Sequence, residues 1–223
     1  MLLRKKEEIE AWLNQYQIKN YELIEDQEYG YIVNVNGGVN LNLKKLKSID
    51  VKFNEVRGFF DCENNKLKSL EGCPEIVEGY FDVGFNKVEV LEYSPKLIKG
   101  GFYCNNNNLK SLKSSNEIVV EYDFDCSNNQ LLSLNGSPEI VNGSFYIQNN
   151  NLSIDELIYL PKSVSKKIYI YSNQKLGDLQ QIDDFNELKE KVDEIFKIKE
   201  EKENLLNNIN KDYLKNNNVV NKI

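Results

Sequence analysis

Acidic and tyrosyl side chains recur at a nearly constant step through the middle of this chain. Asp61, Asp82, Tyr103, Asp125, Tyr146 and Tyr169 make up the main row. Glu63 and Tyr171 stand two positions beyond the first and last of them, and Tyr80 stands two before Asp82. Carboxylates in such a row steer a basic surface toward them. Tyrosine gives a large contact area at low entropic cost and is enriched at binding hot spots. These nine residues are the candidate partner-binding set. Two carboxylates can also share acid and base work on a glycoside, and Asp61 and Asp82 would lie close together on adjacent strands. Similar acids fill the other outward rows, however, and no pocket signal accompanies them. The expected chemistry is binding, not catalysis, and no catalytic residue is assigned.

Composition narrows the chemistry further. The chain has 223 residues and no His. Ser-His-Asp and Cys-His nucleophiles are therefore excluded, as are His general bases, HExxH zinc sites and mixed Cys/His zinc sites. The four Cys (Cys62, Cys73, Cys104, Cys126) form no CxxC pair. No calcium-loop pattern occurs, so no metal and no cofactor is expected. The net charge of −7 and pI near 4.9 oppose direct contact with a nucleic-acid backbone, which requires Lys and Arg to displace counterions. An acidic surface instead meets a basic one. Asn is strongly over-represented; an AT-rich genome would explain that excess unless the Asn positions prove ordered.

Residues at a fixed step need an element that repeats with the same step. Units begin at Val39, Phe60, Phe81, Phe102, Phe124, Phe145 and Ile168. The step of about 21 residues falls in the range of solenoid repeats. Each unit reads roughly F-x-C-x-x-N-x-L-x-x-L, then a turn with Ser or Cys before Pro, then I-V-x-G. Counting the first residue as zero, apolar residues at 0 and +2 alternate with polar ones, the pattern of a short strand with one buried face. Such a coil cannot bury its own apolar face, but stacked neighbours share a core. The Phe row should form an internal spine on parallel strands. Asn65, Asn86, Asn107, Asn129, Asn150 and Asn173 at +5 should form a ladder that satisfies turn backbone groups. Cys62, Cys104 and Cys126 at +2 alternate with Val83 and Ile147, and read as small buried side chains. Cys73 shares its position with Ser94, Ser115 and Ser137 and reads as an exposed turn thiol. The Asn clusters 105–108 and 216–218 extend beyond the ladder and read as compositional drift.

The segment Phe124-x-Cys126-x-x-Asn129-x-Leu131-x-x-Leu134 resembles the leucine-rich-repeat core LxLxxNxL. The spacing is similar to the short bacterial class. A closer likeness is to short repeats of bacteriophage and prophage proteins, of the form FDCSNN-x-L-x-SL-x-G-x-P-x-x-V-x-G. The likeness covers roughly residues 17–176 and includes IKNYEL and VNVNGGVNL as an entering hairpin. It implies an α/β solenoid, a leucine-rich-repeat-like right-handed coil of about seven 21-residue repeats with a parallel sheet, capped by helices at both ends. It also implies protein binding through the sheet face and a mobile-element origin. In its most specific form this is an anti-CRISPR protein that blocks an RNA-guided nuclease.

Three segments result: a helical cap and hairpin over 1–38, the solenoid over 39–176, and a helical extension over 177–223. Ile9, Trp12, Leu13 and Tyr16 form one helical face of the first cap. Asp155 and Glu156 interrupt the Phe145 coil, and the Ile168 coil lacks Phe, so the regular array ends there. Asp184 with Glu187 reads as a capping box. Phe185, Leu188, Val192, Ile195, Leu206, Ile209 and Tyr213 then mark one or two helices over 184–215, a candidate homodimer contact. No signal peptide or membrane-length apolar run is present, so a cytoplasmic location and no membrane partner are expected. The expected function is a non-enzymatic module that binds a protein with a basic surface, such as a nuclease. The alternative is a structural or accessory phage protein that assembles through its C-terminal helix.

Overall fold

Each repeat folds as one coil carrying two short strands, one on each side of a shared core. The computed structural model describes residues 2–114 and 118–220, and the side chains among them except those of 209 and 211–220. Helix α1 (Lys6–Gln15) leads into an antiparallel hairpin, Tyr21–Asp26 with Gly30–Val35. Asp26 sets its turn, since Oδ1 accepts the N–H groups of Glu28 and Tyr29 at 2.8 Å each. Seven strands then form a parallel front sheet, in which Val39, Phe60, Phe81, Phe102, Phe124, Phe145 and Ile168 stand in register. The chain is thus a repeat-based parallel β-solenoid with the repeat step read from the sequence.

The returning side of the coil is a second parallel sheet that the hairpin begins. Val35, Val56, Val77, Ile98, Val120, Val141 and Val164 align along it and are buried. The I-V-x-G segments supply these strands: one β-branched residue points in, its neighbour points out, and Gly follows. The sequence alone marks only a turn and the Pro residues here. Gly79 shows why Gly is needed: a Cβ there would lie 2.8 Å from the Gly58 carbonyl carbon of the preceding coil.

The core is layered by row. Phe53, Phe60, Phe81, Phe102, Phe124 and Phe145 stack with ring centroids 5.2 to 5.8 Å apart and are fully buried. The residues at +2, +7 and +10 fill the space beside them, Cys62, Cys104 and Cys126 included. Cys73 departs from its expected exposure. It is fully buried, and its carbonyl accepts Lys52 Nζ at 2.9 Å. Ser94 in the same row is also buried, whereas Ser115 lies outside the described residues. The row looks inward because the following Pro74 and Pro95 are themselves buried and turn the chain under the sheet.

The Asn ladder holds the front turns. Each +5 carbonyl accepts the main-chain N–H two residues beyond the equivalent position one coil earlier: Asn65 from Leu46, Asn86 from Leu67, Asn107 from Val88, at 2.9 Å each. Asn129, Asn150 and Asn173 repeat this with Leu109, Leu131 and Leu152 at 3.0, 3.0 and 3.2 Å. The residue before each ladder Asn is left-handed: Asn64, Phe85, Asn106, Asn128, Asn149 and Ser172 have φ between 51° and 58°. Asn is among the few side chains that tolerate this region. Beside the ladder residue Asn107, one more member of the 105–108 cluster thus has a task where drift was expected, because Asn106 makes the left-handed turn.

Ile9, Trp12 and Leu13 of α1 are buried, and the Trp12 ring lies 6.2 Å from Phe53 at the start of the spine. At the far end, 3-10 helices Ile154–Tyr159 and Gln174–Gln181 replace the regular turns. The chain divides into two compact units, residues 1–185 and 186–223. Helix α2 (Phe185–Val220) is continuous. Leu188 and Val192 are buried, whereas Ile198, Leu205 and Leu206 are exposed. The expected stripe members Ile209 and Tyr213 and the cluster 216–218 lie outside the described side chains.

Candidate protein-binding face

The front sheet turns one row of side chains outward. Sheet register aligns Asn40, Asp61, Asp82, Tyr103, Asp125, Tyr146 and Tyr169 in sequence across seven coils. The six proposed row members therefore share one face. Most are half-buried by their neighbours, while Tyr80 and Tyr171 are exposed.

The aspartates have a structural share in this face. Oδ1 of Asp61 accepts the Glu63 N–H at 3.0 Å, Asp82 that of Gly84 at 2.8 Å, and Asp125 that of Ser127 at 2.9 Å. Asn40 does the same for Asn42 at 3.1 Å. Each is an Asx turn that closes the strand end. Only the second carboxylate oxygen is left to face outward.

In sequence order the acids stand toward one end of the row and the tyrosines toward the other. The register keeps that order, with Tyr103 ahead of Asp125, and rings beside the row reach the acidic end as well. Near the first coils, the Phe59 and Tyr80 rings stack at 5.1 Å and 6°, and Tyr80 meets Tyr103 edge-on at 6.3 Å. Tyr103 lies over Gly101, where a Cβ would come within 2.5 Å of its hydroxyl. Asp61, Glu63 and Asp82 adjoin this ring band: burial first, and then their charges, raise the Tyr80 hydroxyl above its ordinary pKa. Asn42 Nδ2 donates to Glu63 Oε2 at 3.0 Å and reaches Asp61 Oδ2 at 3.4 Å. Burial, with Glu63, Asp61 and Asp125 adding repulsion, raises Asp82 to about 7, against the Gly84 N–H, which lowers it. Asp125 is raised too, again mainly by burial. At the last coils Tyr146 and Tyr169 stack at 4.6 Å and 2°. Phe59 and Asn42 belong to the face but are absent from the sequence-derived set. Phe59 shares with Tyr80 the outward position just before the spine Phe, but only Tyr80 of that row is in the set.

The two sheets treat charge differently. On the returning side, Glu75, Glu78 and Glu139 pair with Lys96, Lys99 and Lys162 one coil later, at 3.1, 2.8 and 2.8 Å. On the front face, Asp61, Glu63, Asp82 and Asp125 have no ion-pair partner among the described residues. The face is an acidic strip with aromatic rings set into it. Among the described residues, no three His, Cys, Asp or Glu side chains come together to hold a metal ion. No helix there is long and apolar enough to cross a membrane.

Fold and face together define a class, a parallel β-solenoid of short repeats with an acidic, tyrosine-bearing front sheet. No family model matches the chain, no curated protein matches it, and no solved structure matches it.

Proposed function

We propose that the chain is a non-enzymatic binding module that engages a protein with a basic surface through its front sheet. The observation that carries this is the contrast between the sheets. Glu75, Glu78 and Glu139 on the returning side are each paired with a Lys one coil later, whereas Asp61, Glu63 and Asp82 have no ion pair among the described residues beside the Phe59–Tyr80–Tyr103 rings. Unpaired carboxylates raise the association rate with a cationic partner, and desolvated rings supply holding energy. In its most specific form, the partner is an RNA-guided nuclease whose basic nucleic-acid channel this face occupies. The chain would then be an anti-CRISPR inhibitor of mobile-element origin acting in the bacterial cytoplasm; the phage-like repeat is what supports that form. Mixing the protein with such a nuclease should abolish cleavage and give a salt-sensitive complex on a sizing column. Intact cleavage at excess protein, with no complex formed, removes the inhibitor reading.

A second reading is favoured by one observation on α2. Leu205 and Leu206 are 61% and 58% exposed on a helix that continues to Val220. An accessory or structural protein would self-assemble through such a stripe. A stable homo-oligomer in solution that becomes monomeric on truncation after residue 196 selects this reading over the first.

A further inference from the structure

The outer face of the returning sheet exposes an apolar row. Register places Ile76, Leu97, Val119 and Ile140 side by side on it. Val119 and Ile140 are 48% and 51% exposed, and Ile76 and Leu97 are half-buried. Polar residues bound the row in the same register, Glu55 before Ile76 and Ser163 after Ile140. Two positions further along each strand stands a second outward row, in which the exposed residues Arg57, Glu78, Lys99 and Glu121 alternate in sign. Lys99 pairs with Glu78 at 2.8 Å, and Glu121 has no ion pair among the described residues.

We propose that this face is a contact between two copies of the chain, packed sheet to sheet about a twofold axis that runs along the strands. Such an axis keeps each row over its own counterpart and reverses the order of the coils. Ile76 then meets Ile140 of the partner subunit, and Leu97 meets Val119 of the partner subunit. Glu55 and Ser163 fall outside the apolar contact at both ends. In the second row the reversal sets Lys99 against Glu121 of the partner subunit, twice by symmetry. Glu75 and Glu139 also come opposite each other, and each is already held by a Lys of its own chain. Charge selects a copy over other occupants. The chain carries −7, so two copies repel through most of their surface. This face intersperses both signs, which favours neither a basic nor an acidic ligand, and it complements itself on reversal. Four short strands offer less than the roughly 800 Å² per partner of a standard interface, so the dissociation constant should be on the order of 0.1 mM. Both acidic strips are left facing outward on opposite sides. The contact is separate from them and does not depend on the function proposed above.

Sedimentation equilibrium of the full-length chain from about 10 µM to about 1 mM brackets that constant and should show a reversible monomer–dimer exchange. Lys99→Glu and Glu121→Lys each place like charges at both symmetric contacts and should raise the constant about tenfold. Glu121→Lys does so although it lowers the net negative charge. Both side chains are exposed, and far-UV circular dichroism checks that the variants fold. An equimolar mixture of the two variants should dimerise as the parent does, because each cross-contact then joins opposite charges. Val119→Lys should abolish association. A parent that stays monomeric up to about 1 mM overturns the proposal. So does a dimer that withstands all three substitutions, which would place the contact elsewhere, as on α2. Weakening by the single substitutions without recovery in the mixture also overturns it, because the register of the contact would then be wrong.

Discussion

The side-chain carbonyl of Asn86 accepts the main-chain N–H of Leu67, in the preceding coil, at 2.9 Å. Its amide donates to the carbonyls of Cys62, Val83 and Gly84 at 3.0, 3.1 and 3.1 Å. One buried side chain thus joins two successive coils at groups that no strand ladder reaches. Asn86→Leu keeps the volume but leaves these groups unpaired. It should destabilise by about 3 kcal/mol, since each buried unsatisfied group costs roughly 1–3 kcal/mol. Asn86→Asp keeps the acceptor and faces three carbonyls with a carboxylate, so it should fare no better. Urea denaturation followed by far-UV circular dichroism measures both, and an unchanged midpoint for either would refute the ladder's role.

Asn106, one residue before a ladder Asn, has φ 53°. Its side chain matters less than its tolerance of the left-handed region. Asn106→Gly should leave thermal stability within a few tenths of a kcal/mol, while Asn106→Val should cost about 1–2 kcal/mol. Equal losses in the two variants would mean that the side chain acts through contacts instead.

Asp82 gives the front face a pH dependence. Its carboxyl is raised to about 7 in the folded chain, above its unfolded value of about 3.9. Between those values the folded state holds the extra proton, so stability falls as pH rises through the window from about 4 to 7. Asp82→Asn should flatten that slope. It can keep the Asx turn, because Asn40 makes the same bond to Asn42 in the first coil. At pH 8 the variant should be more stable than the parent by about 1–2 kcal/mol, after discounting for solvent screening of a half-buried group. Melting temperatures of both proteins from pH 4 to 8 decide it; parallel curves would reject the assignment.

All four thiols are buried. Cys73 and burial together hold the Cys62 thiol well above its ordinary pKa, and burial does the same for Cys104 and Cys126. A thiol reagent such as Ellman's should therefore label none of them at pH 8 in the native state and all four in guanidinium. Rapid labelling of a single site in native protein would contradict the inward direction of the Cys73 row.

The period is written in the order of the residues alone. Phe at zero, Cys or Val at +2, Asn at +5 and Leu at +7 and +10 recur too regularly for any other architecture. A unit this short must share its core with its neighbours, so parallel stacking follows from length alone. The buried spine, the Asn ladder, the capping direction of Trp12 and the end of the array near Asp155 are legible for the same reason. Each depends on a side chain's own preference combined with a constant step.

Other features depend on neighbours one coil away, and these emerge only from the folded chain. The second sheet arises because Ile-Val pairs of successive repeats meet in register, which two isolated residues do not announce. Cys73 turns inward because buried Pro74 bends the chain beneath the sheet, although a Ser at the equivalent position reads as polar. Asp61, Asp82 and Asp125 look like free carboxylates in the sequence, but each spends one oxygen on its own turn. Which acids stay without a cation is also settled only in three dimensions: a Lys one coil later reaches Glu75 and Glu78, and no cation reaches Asp61 or Asp82 among the described residues. Charge pairing acts through space over a few ångströms, and only the register of the coils states which residues come that close.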